Sequence, residues 1–176
     1  GDFAPIDETS VRAPWSEYRS HIKSARVDVQ GMINASDMFN GCYALTSINL
    51  ENFNTEEVTN MSRMFSGCNK LENLDLSHFD TSSVTDISNM FDYCSSLTCI
   101  DLSSFDLSDI NGSNGIYRIY SIFRGCEKLN TIYTPYNLYN TLVTFRLPEG
   151  IGLEAWNDSE GTVYTELPKN KSDSIL

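Results

Sequence analysis

Apolar and polar residues alternate along this chain with two different periods, and each period predicts its own kind of element. Apolar residues at i, i+3, i+4 and i+7 are typical of one face of a short α-helix. This spacing is shown by Met61, Met64, Phe65 and Cys68. The stretch Leu74-Asp75-Leu76-Ser77 then alternates with a period of two, which indicates a short strand with one buried face.

The same order of elements recurs along the chain. A Met-Phe-x-Gly-Cys string ends at Cys42 and Cys68, and looser versions end at Cys94 and Cys126, so the intervals are 26, 26 and 32 residues. The longer interval contains a turn-rich stretch, 109–115, which we interpret as an inserted loop. Elements this short are marginal alone, so each copy must stack on its neighbours. The pattern predicts an α/β solenoid with a short parallel β-sheet on one face and short helices on the other.

The ends of such an array need caps, because terminal copies would otherwise expose core and an unpaired strand edge. We predict an early helix in which Trp15 and Tyr18 share one side, followed by a first strand at 26–31, and we expect Trp156 to pack on the last copy. The predicted division is an N-terminal helix-strand cap at 1–33, four copies of about 26 residues at 34–134 with a degenerate last copy, a β-rich C-terminal cap at 135–168 and a frayed tail at 169–176.

The repeated string resembles a known family. Residues 58–82 read Val-Thr-Asn-Met-Ser-Arg-Met-Phe-Ser-Gly-Cys-Asn-Lys-Leu-Glu-Asn-Leu-Asp-Leu-Ser-His-Phe-Asp-Thr-Ser, which is similar to the repeat of BspA-type leucine-rich repeat bacterial surface proteins. The resemblance covers about residues 34–134; the chain departs from it at Tyr93, where the repeat has Gly, and after Ile132. It implies a leucine-rich-repeat solenoid on secreted or surface-anchored proteins, with a role in adhesion and no catalytic residues.

Charge and hydropathy narrow the classes of partner. The 24 acidic and 12 basic residues give a net charge of −12, which opposes binding to nucleic acid or to anionic lipid. No apolar stretch approaches the roughly 20 residues of a membrane-spanning helix, so we expect no direct membrane insertion. Gly1 to Pro5 lack the features of a signal peptide. The resemblance implies an extracellular or cell-surface domain, whose export signal would then be absent from this chain.

The five cysteines raise the question of disulfides or metal binding. Four of them fall on the apolar face of the repeat, where a free thiol packs as a small hydrophobic group, and we interpret them as buried thiols. Cys99 precedes a strand residue and is expected to point outward; a pairing with Cys94 stays open. Zinc is disfavoured because there is no Cys-x-x-Cys string and His21 and His78 lie far apart in the pattern. No metal or cofactor is predicted.

Two rows of Asn and Asp residues are candidates for chemistry. Asn49, Asp75 and Asp101 share one outward strand position, and stacked strands would place them about 4.8 Å apart. Such a row is compatible with a calcium site, with the two carboxylates of a glycoside hydrolase, or with a solvated polar ladder. The second row, which follows the Phe of each copy, is interpreted as turn chemistry. Its members are Asn54, Asp80 and Asp106.

The outward strand positions form the predicted contact surface, because stacked repeats bind through their extended faces. These positions are Ser47, Asn49, Glu51, Asn73, Asp75, Ser77, Cys99, Asp101 and Ser103. The sequence therefore predicts non-catalytic recognition of a host or neighbouring-cell protein or glycan at the cell surface. The alternatives are a structural spacer in a larger surface protein and, beyond that, a calcium-binding module or a carbohydrate-active enzyme.

Overall fold

The computed structural model describes residues 15–111, 121–133, 156–157 and 163–164. Its strands are β1 Ser24–Val29, β2 Ser47–Phe53, β3 Cys99–Asp101, β4 Thr131–Tyr133, β5 Trp156–Asn157 and β6 Val163–Tyr164. Two 3-10 helices, Ser16–Tyr18 and Ser108–Asn111, complete the regular elements. In all strands of more than two residues the apolar positions face inward, as a period-two pattern requires.

The prediction of an α/β leucine-rich-repeat solenoid is wrong. Residues 15–111 and 121–133 contain no α-helix, so no helical face lies opposite the strands. Strand β1 pairs in parallel with β2 and β3 in parallel with β4, as two separate two-stranded sheets. Strands β5 and β6 form a third pair, which is antiparallel.

Residues with a left-handed backbone explain why the predicted helices do not form. Arg63 has a φ of 54° and Gly67 a φ of 76°, and a right-handed helix cannot continue through either residue. The segment is instead a chain of turns, in which N–H groups bond alternately within the copy and to the next copy. Met64 N–H donates to the Met61 carbonyl at 3.2 Å, whereas Phe65 N–H donates to the Met90 carbonyl at 3.0 Å.

The sequence copies nevertheless contact one another through equivalent residues. The Phe39 and Phe65 rings stack with centroids 5.9 Å apart, and Phe65 stacks on Phe91 at 6.0 Å. Phe123 continues the row at 5.7 Å from Phe91. These rings lie in one buried cluster with the Leu, Ile, Met and Cys side chains of the repeats. Removal of apolar surface from water is thus shared between copies, and it is the main stabilising contribution of this core.

Trp15 covers the first end of the phenylalanine row. Its ring stacks on Phe39 at 5.6 Å, and its indole N–H donates to the Met38 carbonyl at 2.8 Å. Only the short 3-10 helix forms where the sequence predicts a longer helix, and β1 lies close to the predicted first strand. Residues 1–14, the predicted insertion beyond Asn111, most of the predicted C-terminal cap and the tail lie outside the described residues, and so does the side chain of Trp156.

Candidate binding face

The structure exposes the outward face that the sequence predicts. Eight of the nine side chains named for it are exposed, and the ninth, Cys99, is half-buried. On β2 the exposed positions are Ser47, Asn49, Glu51 and Asn52, and Leu50 and Phe53 are buried. The alternation therefore separates a polar outer face from the shared core.

Local hydrogen bonds hold the Asn/Asp row of this face. The carboxamide oxygen of Asn49 accepts the backbone N–H two residues later, that of Glu51, at 3.0 Å. Asp75 accepts the Ser77 N–H at 3.0 Å, and Asp101 accepts the Ser103 N–H at 2.8 Å. Each is an Asx turn, in which the side chain takes the place of a backbone acceptor. The row is thus fixed in position before any ligand arrives.

One predicted strand on this face is absent. Leu74-Asp75-Leu76-Ser77 has no strand assignment, although Leu76 is buried and Asp75 exposed as the alternation requires. The Asp75 turn satisfies the Ser77 N–H locally, as the Asn49 turn does for the Glu51 N–H within β2. A His78 ring nitrogen lies 2.7 Å from the Leu50 carbonyl, so a side chain bonds to this carbonyl of β2. The exposed side chains of this face are therefore not joined by one backbone ladder.

Strand register adds two residues that the sequence reasoning missed. Arg26 of β1 pairs with Asn49, and Tyr133 of β4 pairs with Asp101. The row consequently begins with a cation, continues through an amide and two carboxylates, and ends with an aromatic ring. Arg26 lies inside the predicted first strand, and its alternation with Val27 was the sequence signal that could have placed it on the outward face. Tyr133 lies beyond the point where the repeat string is recognisable, and no sequence motif indicated its position.

Hydrogen bonds within local turns lower the pKa of two aspartates, one on this face and one in the second row. The Ser77 N–H and then the Ser77 hydroxyl, which donates at 2.7 Å, lower the pKa of Asp75. In the second row, the Ser82 hydroxyl and N–H lower the pKa of Asp80 in the same way. The second row consists of Asx turns throughout, as predicted, with Asn54 and Asp106 accepting the N–H two residues later.

The arrangement of the described side chains bears on the calcium alternative. Across the described residues, no three His, Cys, Asp or Glu side chains come close enough together to hold a metal ion. The carboxylates of Asp75 and Asp101 each accept hydrogen bonds from their own turn. The third alternative for this row is a solvated polar ladder, and it requires no bound ion and no additional side chain.

The cysteines behave as packing residues. Cys42, Cys68, Cys94 and Cys126 are free and buried, as predicted, and the thiols of Cys94 and Cys126 donate to phenylalanine carbonyls of the preceding copy at 3.1 and 3.0 Å. Burial raises the pKa of the Cys42 thiol to about 11 and that of Cys126 to about 12. Cys99 is free and half-buried, and burial, followed by the charge of Asp101, raises its pKa as well.

Two ion pairs link neighbouring copies on the turn side, and the sequence reasoning missed both. Arg63 donates two hydrogen bonds to Asp37, each 2.9 Å long, and Arg124 pairs with Asp92 in the same forked geometry. Burial would raise the pKa of Asp37, but the bonds from Arg63 and Asn40 outweigh it and lower that pKa. The available signal was that Asp37 and Arg63 occupy one repeat position in adjacent copies.

Comparison with known proteins matches the chain to a family model. Residues 16–134 match a family model described as "Mycoplasma protein of unknown function, DUF285". No curated protein and no solved structure matches the chain. In the part of the chain that the structure describes, no helix has the length and apolar character needed to cross a membrane.

Proposed function

We propose that this chain, which belongs to the DUF285 family of Mycoplasma proteins of unknown function, is a non-catalytic recognition module that binds a protein or glycan through its outward face. The observation that carries the proposal is the row of exposed side chains held by Asx turns at Asn49, Asp75 and Asp101. Polar groups already fixed in position lose little conformational entropy on binding, which favours affinity.

The composition of the row supports recognition of a polar partner. Arg26 lies at one end, Asp75 and Asp101 follow, and Tyr133 ends the row. Tyrosine and arginine are enriched at protein interfaces, and neighbouring charges of opposite sign give a partner its orientation. The resemblance to BspA-type repeats suggests that the partner is met at the cell surface, outside the cell.

A structural spacer is the second candidate, and one observation favours it. The stacked row from Trp15 to Phe123 joins all four copies through one buried cluster, which makes the domain a stiff body. A spacer needs stiffness and no particular surface chemistry. Binding measurements on surface variants therefore distinguish the two candidates.

The test is binding of the purified chain to a panel of host extracellular proteins and surface glycans, with and without calcium. An Asp75→Lys/Asp101→Lys variant reverses the charge of the face, and an Asp75→Asn/Asp101→Asn variant removes the charge but keeps an acceptor for each turn, as Asn49 does. A Glu56→Lys/Glu57→Lys variant makes the same charge change at exposed positions outside the face.

Recognition through the face predicts that at least one panel member binds the wild type, that the lysine variant at Asp75 and Asp101 loses this binding, and that the Glu56/Glu57 variant keeps it. Circular dichroism checks that every variant is folded. No binding by any panel member, or equal binding by all variants, would contradict the proposal and favour the spacer. Binding that requires calcium would instead indicate a calcium-binding module.

A further inference from the structure

His78 lies among the acidic residues of the outward face. The segments 46–57, 72–82 and 98–108, which carry this face and the corner that follows it, contain no lysine or arginine. His78 is therefore the side chain in these segments that becomes positively charged when it takes up a proton. The other titratable groups of the three segments are Glu51, Glu56, Glu57, Glu72, Asp75, Asp80, Cys99, Asp101 and Asp106.

A hydrogen bond to β2 holds the His78 ring in place. Its Nε2 atom lies 2.7 Å from the Leu50 carbonyl oxygen, and the ring meets Phe79 edge to face with the centroids 5.3 Å apart. A carbonyl oxygen only accepts hydrogen bonds, so Nε2 is the ring nitrogen that carries the hydrogen. In the neutral ring the lone pair is therefore on Nδ1, and Nδ1 is the atom that binds a further proton.

This arrangement separates a change of charge from a change of fold. The Nε2–H group donates to the Leu50 carbonyl in both the neutral and the protonated ring, so protonation keeps this bond between copies. At the equivalent position of the next copy, the Ser104 hydroxyl lies 3.5 Å from the Leu76 carbonyl. A polar donor at this position thus ties neighbouring copies together, and histidine is a donor that also titrates between pH 5 and 8.

The charge gained by His78 acts on a carboxylate of the Asn/Asp row. The Ser77 N–H and hydroxyl lower the pKa of Asp75, and the charge of His78 lowers it further. The turns around Asp75 and Asp80 hold both pKa values below the ordinary 3.8, so these carboxylates stay ionised over the range in which histidine titrates. Within this range the charge of His78 changes while the charges of Asp75 and Asp80 do not.

We infer that protonation of His78 weakens the binding of a positively charged partner to the outward face, so that the face binds more tightly at neutral pH than in mild acid. The inference rests on the proposed function, in which the negative charges of Asp75 and Asp101 take part in recognition. Protonation adds a positive charge beside Asp75, which is a change of the same sign as Asp75→Lys. An exposed charge of this kind changes affinity by about two- to fivefold.

The first measurement needs no partner. Nitrogen-15 NMR of the histidine rings in the full chain, between pH 5 and 8, identifies which ring nitrogen carries the hydrogen. We expect it on Nε2 in the neutral ring of His78, and we expect the carboxyl carbon signal of Asp75 to shift as His78 is protonated. In His78→Asn this shift should disappear, and the new amide keeps a donor for the Leu50 carbonyl. A neutral ring protonated at Nδ1, or a shift of Asp75 that persists in His78→Asn, would overturn the inference.

The second measurement uses the panel member that binds the wild type and is lost in Asp75→Lys/Asp101→Lys. Its dissociation constant is measured at pH 7.5 and 5.5, at equal ionic strength, for the wild type, His78→Asn and His21→Asn. The matched control is His21→Asn, which removes the other histidine of the chain, outside the three segments of the face. Ratios between variants at one pH cancel any titration of the partner itself.

We expect the wild type and His21→Asn to lose about two- to fivefold in affinity relative to His78→Asn between the two pH values. Equal pH dependence in the wild type and His78→Asn would overturn this inference and leave the proposed function intact. No binding by any panel member at pH 7.5 would contradict the proposed function and this inference with it. Circular dichroism at both pH values checks folding, and His78→Ser, which installs the residue of the third copy, replaces His78→Asn if that variant does not fold.

Discussion

The two ion pairs between neighbouring copies allow the effect of burial on stability to be measured within one chain. Both join an arginine to an aspartate of the preceding copy in a forked geometry. The Asp37 side chain is 26% exposed and the Asp92 side chain 7%, whereas the two arginines are similarly exposed, at 52% for Arg63 and 56% for Arg124. The two charged groups are matched; the carboxylates differ in burial, Asp37 also accepts a bond from Asn40, and Arg124 also contacts the Tyr93 ring.

The expected cost of removing each arginine follows from what is left behind. In Arg63→Ala, Asp37 remains accessible to water, so the loss should be about 0–1 kcal/mol, as for exposed pairs. In Arg124→Ala, a carboxylate that is almost entirely buried loses its partner. Fully buried pairs lose about 3–5 kcal/mol in this situation, and the exposure of Arg124 reduces the expected loss to about 2–3 kcal/mol. For a domain of this size that corresponds to a fall in Tm of about 4–12 °C.

Urea denaturation followed by circular dichroism and by tryptophan fluorescence measures both variants. An Asp92→Asn background provides the control, because the buried charge is then absent and Arg124→Ala should cost about 1 kcal/mol or less, mainly through the lost contact with Tyr93. Equal losses in Arg63→Ala and Arg124→Ala would refute the argument from burial. So would an unchanged cost of Arg124→Ala in the Asp92→Asn background.

Three further predictions concern titratable groups. Iodoacetamide at pH 8 should alkylate Cys99 alone in the folded chain and all five cysteines in urea. Mass spectrometry counts the alkylated thiols. A second thiol that reacts as fast as Cys99 in the folded chain would show that the core opens. Burial raises the pKa of the Cys42 thiol from 9.0 to about 11 and that of the Cys126 thiol from 9.0 to about 12. The contribution of the two thiols to stability is therefore fully present below pH 9 and is lost as the pH rises towards 11 and 12. The loss is about 1.4 kcal/mol per pH unit for each thiol, and urea midpoints at pH 8 and 10 should differ less in a Cys42→Ala/Cys126→Ala variant. Ser77→Ala should raise the pKa of Asp75 in a carboxyl NMR titration, because the hydroxyl bond is lost, and an unchanged value would mean that the backbone N–H alone holds that pKa down.

The hydrophobic pattern predicted which side chains are buried better than it predicted the element that buries them. Met61, Met64, Phe65 and Cys68 were assigned to a helix, and all four are fully buried in a chain of turns. Turns with i to i+3 bonds also return every third or fourth side chain to one side, so the two structures share a period. The left-handed φ of Arg63 decides between them, and arginine carries no sequence signal for that conformation. The glycine at position 67 did carry such a signal.

The outward face could be located from alternation, but its continuity could not. Residues 74–77 alternate as well as β2 does, yet they form no strand. The Asx bond alone does not explain the difference, because Asn49 makes the same bond within β2; residues 74–77 differ in that Asp75 also accepts the Ser77 hydroxyl. A period-two pattern indicates which side of a segment is buried, but it does not indicate to which acceptor a backbone N–H donates. Short polar residues two positions apart are the sequence feature that marks this competition.

The Asx turns also limit how far the aspartates of the face can be taken as evidence of function. The same bond to the N–H two residues later recurs at Asn34, Asn60 and Asp86, which lie on the turn side of the chain and away from the outward face. Asn and Asp therefore serve equally as turn acceptors in this repeat, and an aspartate at such a position is structural before it is functional. Charge distinguishes both Asp75 and Asp101 from Asn49, and Asp75 additionally accepts the Ser77 hydroxyl. For that reason the Asp→Asn variants are the most informative ones, because they keep the turn and remove only the charge. A change in their binding is then attributable to electrostatic recognition by the face.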